Sequence, residues 1–295
     1  FLGLYGVFSS LEVSSSAYLQ ALVPKPEFPR AVAMNLTRFQ GATIAGPIVG
    51  GFVFSHVGAA RAYGTAAVVL LVTALITFRL KKIHPAVVDD GSGTGAVARI
   101  KSGLRFIGSQ PAILGAMSMD LFAVLFADCV ALFPIFADNF GVGAVGLGVL
   151  RAAPAVGSVA LSLVQTYRPF FDPNWRNLLK TILIFGICLI AFAVSKNFLL
   201  SVFFLAVGGA ADGVSVITRQ SIYQGRTPDH LRGRVSSVSG IFIRTSNEIG
   251  AFESGVAASL IGVAPSVVFG ASLTLLGAAF MWWKYPDLDN APARV

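Results

Sequence analysis

Charge is the scarcest feature of this sequence. Asp, Glu, Lys and Arg together make up 12% of the 295 residues, against about 25% in a water-soluble domain. So small a share does not solvate a folded surface, which excludes a soluble enzyme. Histidine is nearly missing too: His56, His84 and His230 are the only three, and all fall in or beside loops. No Ser–His or metal-ligand grouping emerges at membrane depth, which argues against an intramembrane enzyme. Cysteine is confined to Cys129 and Cys188, both inside apolar runs and without metal-ligand spacing. Neither a disulfide framework nor a metal centre is expected from them, and no cofactor is expected at all. No charged segment precedes the opening apolar stretch, so it does not read as a signal peptide. What is abundant is apolar: 55% of residues are hydrophobic, and mean hydropathy is +0.75. Among the charges, 22 Lys+Arg outnumber 14 Asp+Glu, for a net +8. A nucleic-acid partner would need those cations clustered on a polar face. Here they sit at the ends of apolar runs, so the partner is a lipid bilayer.

A bilayer core of about 30 Å takes roughly 20 apolar residues per helix. Nine stretches qualify: 1–22, 36–57, 60–80, 111–137, 143–165, 178–195, 198–222, 235–262 and 264–284. They are long continuous runs rather than ten-residue alternations, which favours helices over a barrel. The expected class is an all-α integral membrane protein. Sixteen cations fall on loops near 25–34, 81–110, 166–177 and 223–234 and at the C-terminus, while the opposite loops keep only Arg61 and Lys196. Such a bias makes the first set, and the C-terminus, cytoplasmic. Residues 81–110 read as a linker between two helical regions, 1–80 and 111–295. Within it, Ala98–Ile107 has the pattern of a short basic amphipathic helix on the membrane surface.

At an offset of about 204 residues the chain weakly matches itself: Arg30 falls on Arg234, Gly46 on Gly250, Gly51 on Gly255 and Gly58 on Gly262. Loop type, helix pair and glycine spacing coincide, which is the mark of a repeat. The second copy holds six spans and the first only its last three. Three helices are therefore expected to precede Phe1, and the whole would be a 6+6 transporter of two pseudo-repeat bundles.

Several charges lie inside the expected spans: Glu12, Asp120, Asp128, Asp212, Glu248, Glu253, Arg38, Arg151, Arg219 and Arg244. Exposed to lipid, each costs several kcal/mol, so they face a cavity or pair with one another. Asp120 and Asp128 are about two turns apart and so lie roughly on one face. Arg151, on the neighbouring span, is positioned to pin one of them. Arg244 and Glu248 have the spacing of a helix-surface ion pair. Asp120 and Glu253 lack such a partner, which favours a proton-carrying role. Glu12 and Arg219, near span ends, are expected to snorkel or pack. Phe122 and Phe126, with Phe133 and Phe136, surround the carboxylates with aromatic surface, either core packing or a substrate wall. Together, Asp120, Asp128, Glu248, Glu253 and Arg151 are the proton-coupling candidates. Phe122, Phe126, Arg38 and Arg244 are the substrate-cavity candidates. Arg30, Arg232 and Arg234 are candidates for a cytoplasmic gate.

Gly41-x4-Gly46-Pro47-x2-Gly50-Gly51 places small residues where helices can approach closely, with a proline that removes one backbone donor. This stretch resembles the antiporter motif of the major facilitator superfamily. Leu22-Val23-Pro24 with Arg30–Asn35, Asp120–Phe126 continuing to Leu132–Ala137, and Leu231–Ser236 with Asn247-Glu248 and Phe252–Gly255 resemble its drug- and siderophore-exporting branch, the transmembrane secretion effectors. The resemblance runs along the whole chain and makes the nine spans family helices four to twelve. It implies the major facilitator fold and a pliant glycine-proline helix that favours export. It also implies proton-coupled efflux of amphiphilic small molecules by a monomer in the bacterial inner membrane. An importer or facilitator, or a non-transporting membrane sensor with the same fold, is the rival reading.

Overall fold

The computed structural model of the protein describes residues 28–79, 96–167 and 172–288. The expected span 1–22 with Glu12 lies outside the described residues, as does His84. So do the side chains of Arg30, Arg38 and Arg232. The chain divides into two compact units, Phe1–Gly93 and Thr94–Val295. The described part of the first is α1, Phe28–Arg79, which runs through Pro47 and breaks at Gly58. The break falls between the expected spans 36–57 and 60–80.

In the second unit α2 (Ala96–Ser109) leads into α3 (Pro111–Ala127), a 3-10 turn at Val130–Leu132 and the short α4 (Phe133–Asn139). Then come α5 (Gly143–Tyr167), α6 (Trp175–Val194), α7 (Phe198–Arg226), α8 (Asp229–Ile261) and α9 (Val263–Lys284). Helix α7 packs along both α5 and α6, α9 packs on α6 and α3, and α8 lies against α3, α9 and α2. Six stretches among the described residues are long and apolar enough to cross a membrane: 41–76, 111–139, 143–165, 175–194, 198–223 and 263–284. The nine expected spans are not all recovered among the described residues. The stretch 41–76 runs across the break at Gly58 and so holds both helices expected in α1, while α8, which covers the expected span 235–262, carries too many polar residues to qualify.

The expected continuous helix 111–137 is also corrected. Helix α3 ends at Ala127 and Asp128 is its extended C-cap. Pro134 opens α4, and a proline there has no N–H for the preceding turn and clashes with the carbonyl four residues back. The chain leaves the helix at Asp128 and restarts in α4, with Pro134 in its first turn.

One end of the second unit collects the cations, and is called the basic end below. There α2 docks on α8: a Cβ at Gly103 would lie 3.0 Å from Val238 Cγ2 and 3.1 Å from the Arg234 carbonyl oxygen. Ile107, Val235 and Val238 are buried in this seam. The segment after α9 is tied to the same end, because Trp175 Nε1 donates to the Tyr285 carbonyl at 2.7 Å and Arg176 Nε to that of Pro286 at 3.1 Å.

The self-match extends to backbone conformation. Gly58 has φ 78, ψ 166 and Gly262, which alone separates α8 from α9, has φ 92, ψ 159. That region is essentially closed to residues with a Cβ, so both glycines are demanded by geometry. Although a methyl group at Gly262 would meet nothing closer than Pro265 Cδ at 3.6 Å, Gly262→Ala is expected to cost about 1–3 kcal/mol through backbone strain alone. An unchanged thermal midpoint in detergent would count against that assignment.

Candidate functional site

Helix α3 carries Asp120 nine residues after Pro111, about 14 Å along the axis from the basic end. Helix α7 carries Asp212, Arg219 and Tyr223 at spacings of seven and four, which align them on one face. The two helices meet so that Arg219 Nη1 forms an ion pair with Asp120 Oδ1. Asp120 is 7% exposed and Arg219 8%. The other guanidinium nitrogen, Nη2, stands 3.8 Å from Asp212 Oδ1, whose side chain is half-exposed. One cation thus sits between two carboxylates from different helices.

A buried ion is tolerated only when a partner and further hydrogen bonds offset its desolvation. Asp120 meets that condition through Arg219, so the expected partner Arg151 is displaced. Arg151 is exposed on α5. Of the two expectations for Arg219, snorkelling or packing, the structure shows the buried one, and the reason is geometric. Helix α7 runs on to Arg226, four residues past the expected boundary, which draws Arg219 inward. The signal available in the sequence was the Asp212–Arg219–Tyr223 spacing, which places a cation and an acid on one stripe.

The other expected residues separate. Asp128 is half-buried and its Oδ1 accepts from Val130 N–H at 3.0 Å, so it shapes the break after α3 rather than joining Asp120 on a common face. Glu248 and Arg244 are both exposed on α8 and do not form the ion pair expected of them. With Ser237 they form one polar stripe on the face turned away from α3. Lipid contact on that stripe would be costly. Glu253 is half-buried on another side of the same helix.

Phe122 and Phe126 form a tilted aromatic pair with centroids 4.7 Å apart. The Phe122 ring lies where a Cβ at Gly277 would come within 2.9 Å, and the Phe126 carbonyl oxygen occupies the place of a Cβ at Gly270. Both residues therefore pack α3 into α9. Arg234 Nη1 donates to Ser102 Oγ at 3.1 Å, joining α8 to α2 within its own unit. In α1, a Cβ at Gly41, Gly46 or Gly50 would meet no atom within 4 Å, while Pro47 and Gly51 are half-buried.

Among the described residues no group of three or more His, Cys, Asp or Glu could hold a metal ion. The arrangement can do one thing that a purely structural pair cannot: Arg219 can exchange one carboxylate for the other. Residues 4–293 match the family described as transmembrane secretion effector. The chain is 26% identical over 284 residues to the enterobactin exporter EntS of Escherichia coli O1:K1, covering 95% of this chain and 67% of that protein. It is 27% identical to the enterobactin exporter EntS of Shigella flexneri over the same shares.

Proposed function

We propose that this chain, which belongs to the transmembrane secretion effector family of the major facilitator superfamily, exports an amphiphilic small molecule in exchange for protons. It is a multi-pass membrane protein with a transport role in efflux, as its family and its exporter relatives establish. The proton coupling rests on one observation: a buried guanidinium with two carboxylates in reach. One cation balances one carboxylate, so the cluster carries one surplus negative charge and has room for one proton.

With Asp120 ionised, Arg219 is held to α3. A proton on Asp120 weakens that pair and leaves Arg219 to Asp212 on its own helix, which frees α3 and α7 to shift. A ligand shifts such an equilibrium only by its differential affinity for the two states, so proton and substrate must prefer opposite ones. One charge crossing 100 mV supplies about 2.3 kcal/mol, enough to bias the exchange. The basic end faces the cytoplasm by the positive-inside rule, with the C-terminus there and the protein in a bacterial inner membrane as a monomer. The enterobactin exported by its relatives suggests a siderophore-like substrate, with drugs as a second class. Within the second unit, the exposed Arg244–Glu248 stripe is proposed to face that substrate. Gly41, Gly46, Pro47, Gly50 and Gly51 are proposed to make α1 pliant, and Arg234, at the basic end of the second unit, to serve at the cytoplasmic gate.

The test is Asp120→Asn, which mimics the protonated carboxyl with little change of volume. The variant is expected to insert normally, because Asp212 remains to receive Arg219. Gradient-driven enterobactin uptake by everted vesicles should fall at least tenfold, whereas Asp128→Asn, on its local turn, should lose no more than half. Undiminished gradient-dependent uptake by Asp120→Asn would remove Asp120 from the mechanism and move the assignment to Glu253.

A further inference from the structure

The basic end of α7 carries a second polar feature that the ion pair does not use. A cleft of about 120 Å³ opens between the last turns of α7 and the start of α8, lined by Gln220, Tyr223, Thr227, Ser236 and Ser239 among others. Its size decides what it can hold. Drug-sized ligands occupy roughly 300–1,000 Å³, so the cleft is too small for the exported molecule. A water molecule takes up roughly 30 Å³ of liquid, so about four would fill it. Val235, Gly240 and Ile243 supply apolar wall, and the hydroxyls of Tyr223, Thr227, Ser236 and Ser239 with the Gln220 amide supply enough polar partners for bound water.

One of those hydroxyls needs an occupant. Thr227 is 4% exposed, and its Oγ1 has no hydrogen-bond partner among the described residues. A buried hydroxyl left unsatisfied is costly, and bound water is the usual remedy. Tyr223, 6% exposed, lines the cleft one turn before Thr227 and one turn after Arg219, on the same face of α7. Thr227, Tyr223, Arg219 and Asp212 therefore form one stripe along α7, spanning 15 residues, or about 22 Å. Helix α8 adds only Ser236 and Ser239 as polar side chains to the lining. Arg219, one turn before Tyr223 on its own helix, is paired with Asp120 of α3, while Arg226 on α7 and Arg234 on α8 adjoin the lining residues Thr227 and Val235 in sequence.

We propose that this cleft is a bound-water site and that Tyr223 is the positioning residue joining it to the Asp120–Arg219 pair, so that protons leave the pair along α7 to the basic end. The water site stands on the cleft alone; the proton route rests on the proton-coupled reading above.

Two measurements separate these parts. Hydroxyl-radical footprinting of the purified chain should modify Tyr223 despite its burial, because radicals form from water in the cleft. Trp175 and Phe192, fully buried in apolar surroundings, should stay unmodified, and Thr227→Val should lower Tyr223 modification at least threefold. An unmodified Tyr223 overturns the water site. In proteoliposomes with a trapped pH dye and enterobactin as the probe, Tyr223→Phe should reduce proton movement at least tenfold further than it reduces enterobactin counterflow. A parallel fall in both overturns the route, since that is what loss of structure alone would give. A wild-type chain with modified Tyr223 that moves no proton with enterobactin supports the water site and overturns the coupling.

Discussion

Arg219→Met is expected to be among the most destabilising single substitutions in the protein, and Asp120→Val introduced with it is expected to restore most of the loss. Taking away the guanidinium leaves Asp120, 7% exposed, without its counter-ion, and breaking a buried pair from one side costs about 3–5 kcal/mol. Replacing both partners with apolar residues removes the stranded charge, and such exchanges are commonly neutral or stabilising. The two singles and the double should therefore be strongly non-additive, as residues in contact are. Thermal unfolding in detergent reads the stability side. Transport reads the other side: the double variant is expected to keep its fold but has neither the guanidinium nor Asp120 for the exchange, so it should show no gradient-driven export. A double variant as unstable as Arg219→Met would mean that Arg219 serves the fold through contacts other than Asp120. Gradient-driven export by a stable double variant would remove the pair from energy coupling.

The asymmetry between the partners follows from Asp212. When Asp120 is neutralised, Arg219 still has a carboxylate oxygen 3.8 Å from Nη2. When Arg219 is removed, no second cation among the described residues is seen to reach Asp120. Asp120→Asn should therefore be a functional lesion with little structural cost, and Arg219→Met a structural lesion first. A conventional salt bridge with a single partner on each side would give similar costs in both directions.

How much of this was legible in the sequence depends on range. Apolar runs gave α5, α6, α7 and α9 to within a few residues, because a bilayer sets helix length directly. Gly58 and Gly262 marked helix junctions correctly, since their shared conformation is closed to other residues and leaves a trace in sequence. Asp120 was identifiable as a buried acid from its depth in an apolar run. Its partner was not, because pairing across helices depends on which faces meet, and no spacing within one helix encodes that. The depth of Arg219 was underestimated because hydropathy ended the span at 222, whereas α7 continues to Arg226. Asp128 was misplaced because an apolar run does not reveal that α3 ends at Ala127. Arg244 and Glu248 had ion-pair spacing, but exposed pairs gain little from meeting, and these two remain apart.

A close helix contact through three glycines in the second unit was also invisible in the apolar pattern, and it yields the second large effect. Helices α5 and α7 touch through glycine: a Cβ at Gly157 would fall on the Ala206 carbonyl oxygen, one at Gly209 on the Pro154 carbonyl, and one at Gly213 on Ser158 Oγ. Small residues permit this approach in a membrane, where dispersion and close packing rather than water expulsion hold helices together. The obstacles are mostly backbone, which cannot rotate aside as a side-chain tip can. Gly209→Ala should therefore force the helices apart and cost at least the 1–3 kcal/mol typical of overpacking, and Gly157→Leu more. Gly225 supplies the control, because it lies on the same helix and a Cβ there meets nothing within 4 Å. Gly225→Ala should leave stability unchanged or raise it by about 0.5–1 kcal/mol, the ordinary helix preference for alanine. Thermal midpoints in detergent, compared between Gly209→Ala and Gly225→Ala, read the difference. Since α7 also carries Arg219, separation at Gly209 should weaken its hold on Asp120, so gradient-driven export should fall with stability in Gly209→Ala and persist in Gly225→Ala. Equal midpoints for the two alanine variants would show that the α5–α7 contact is looser than these backbone positions require.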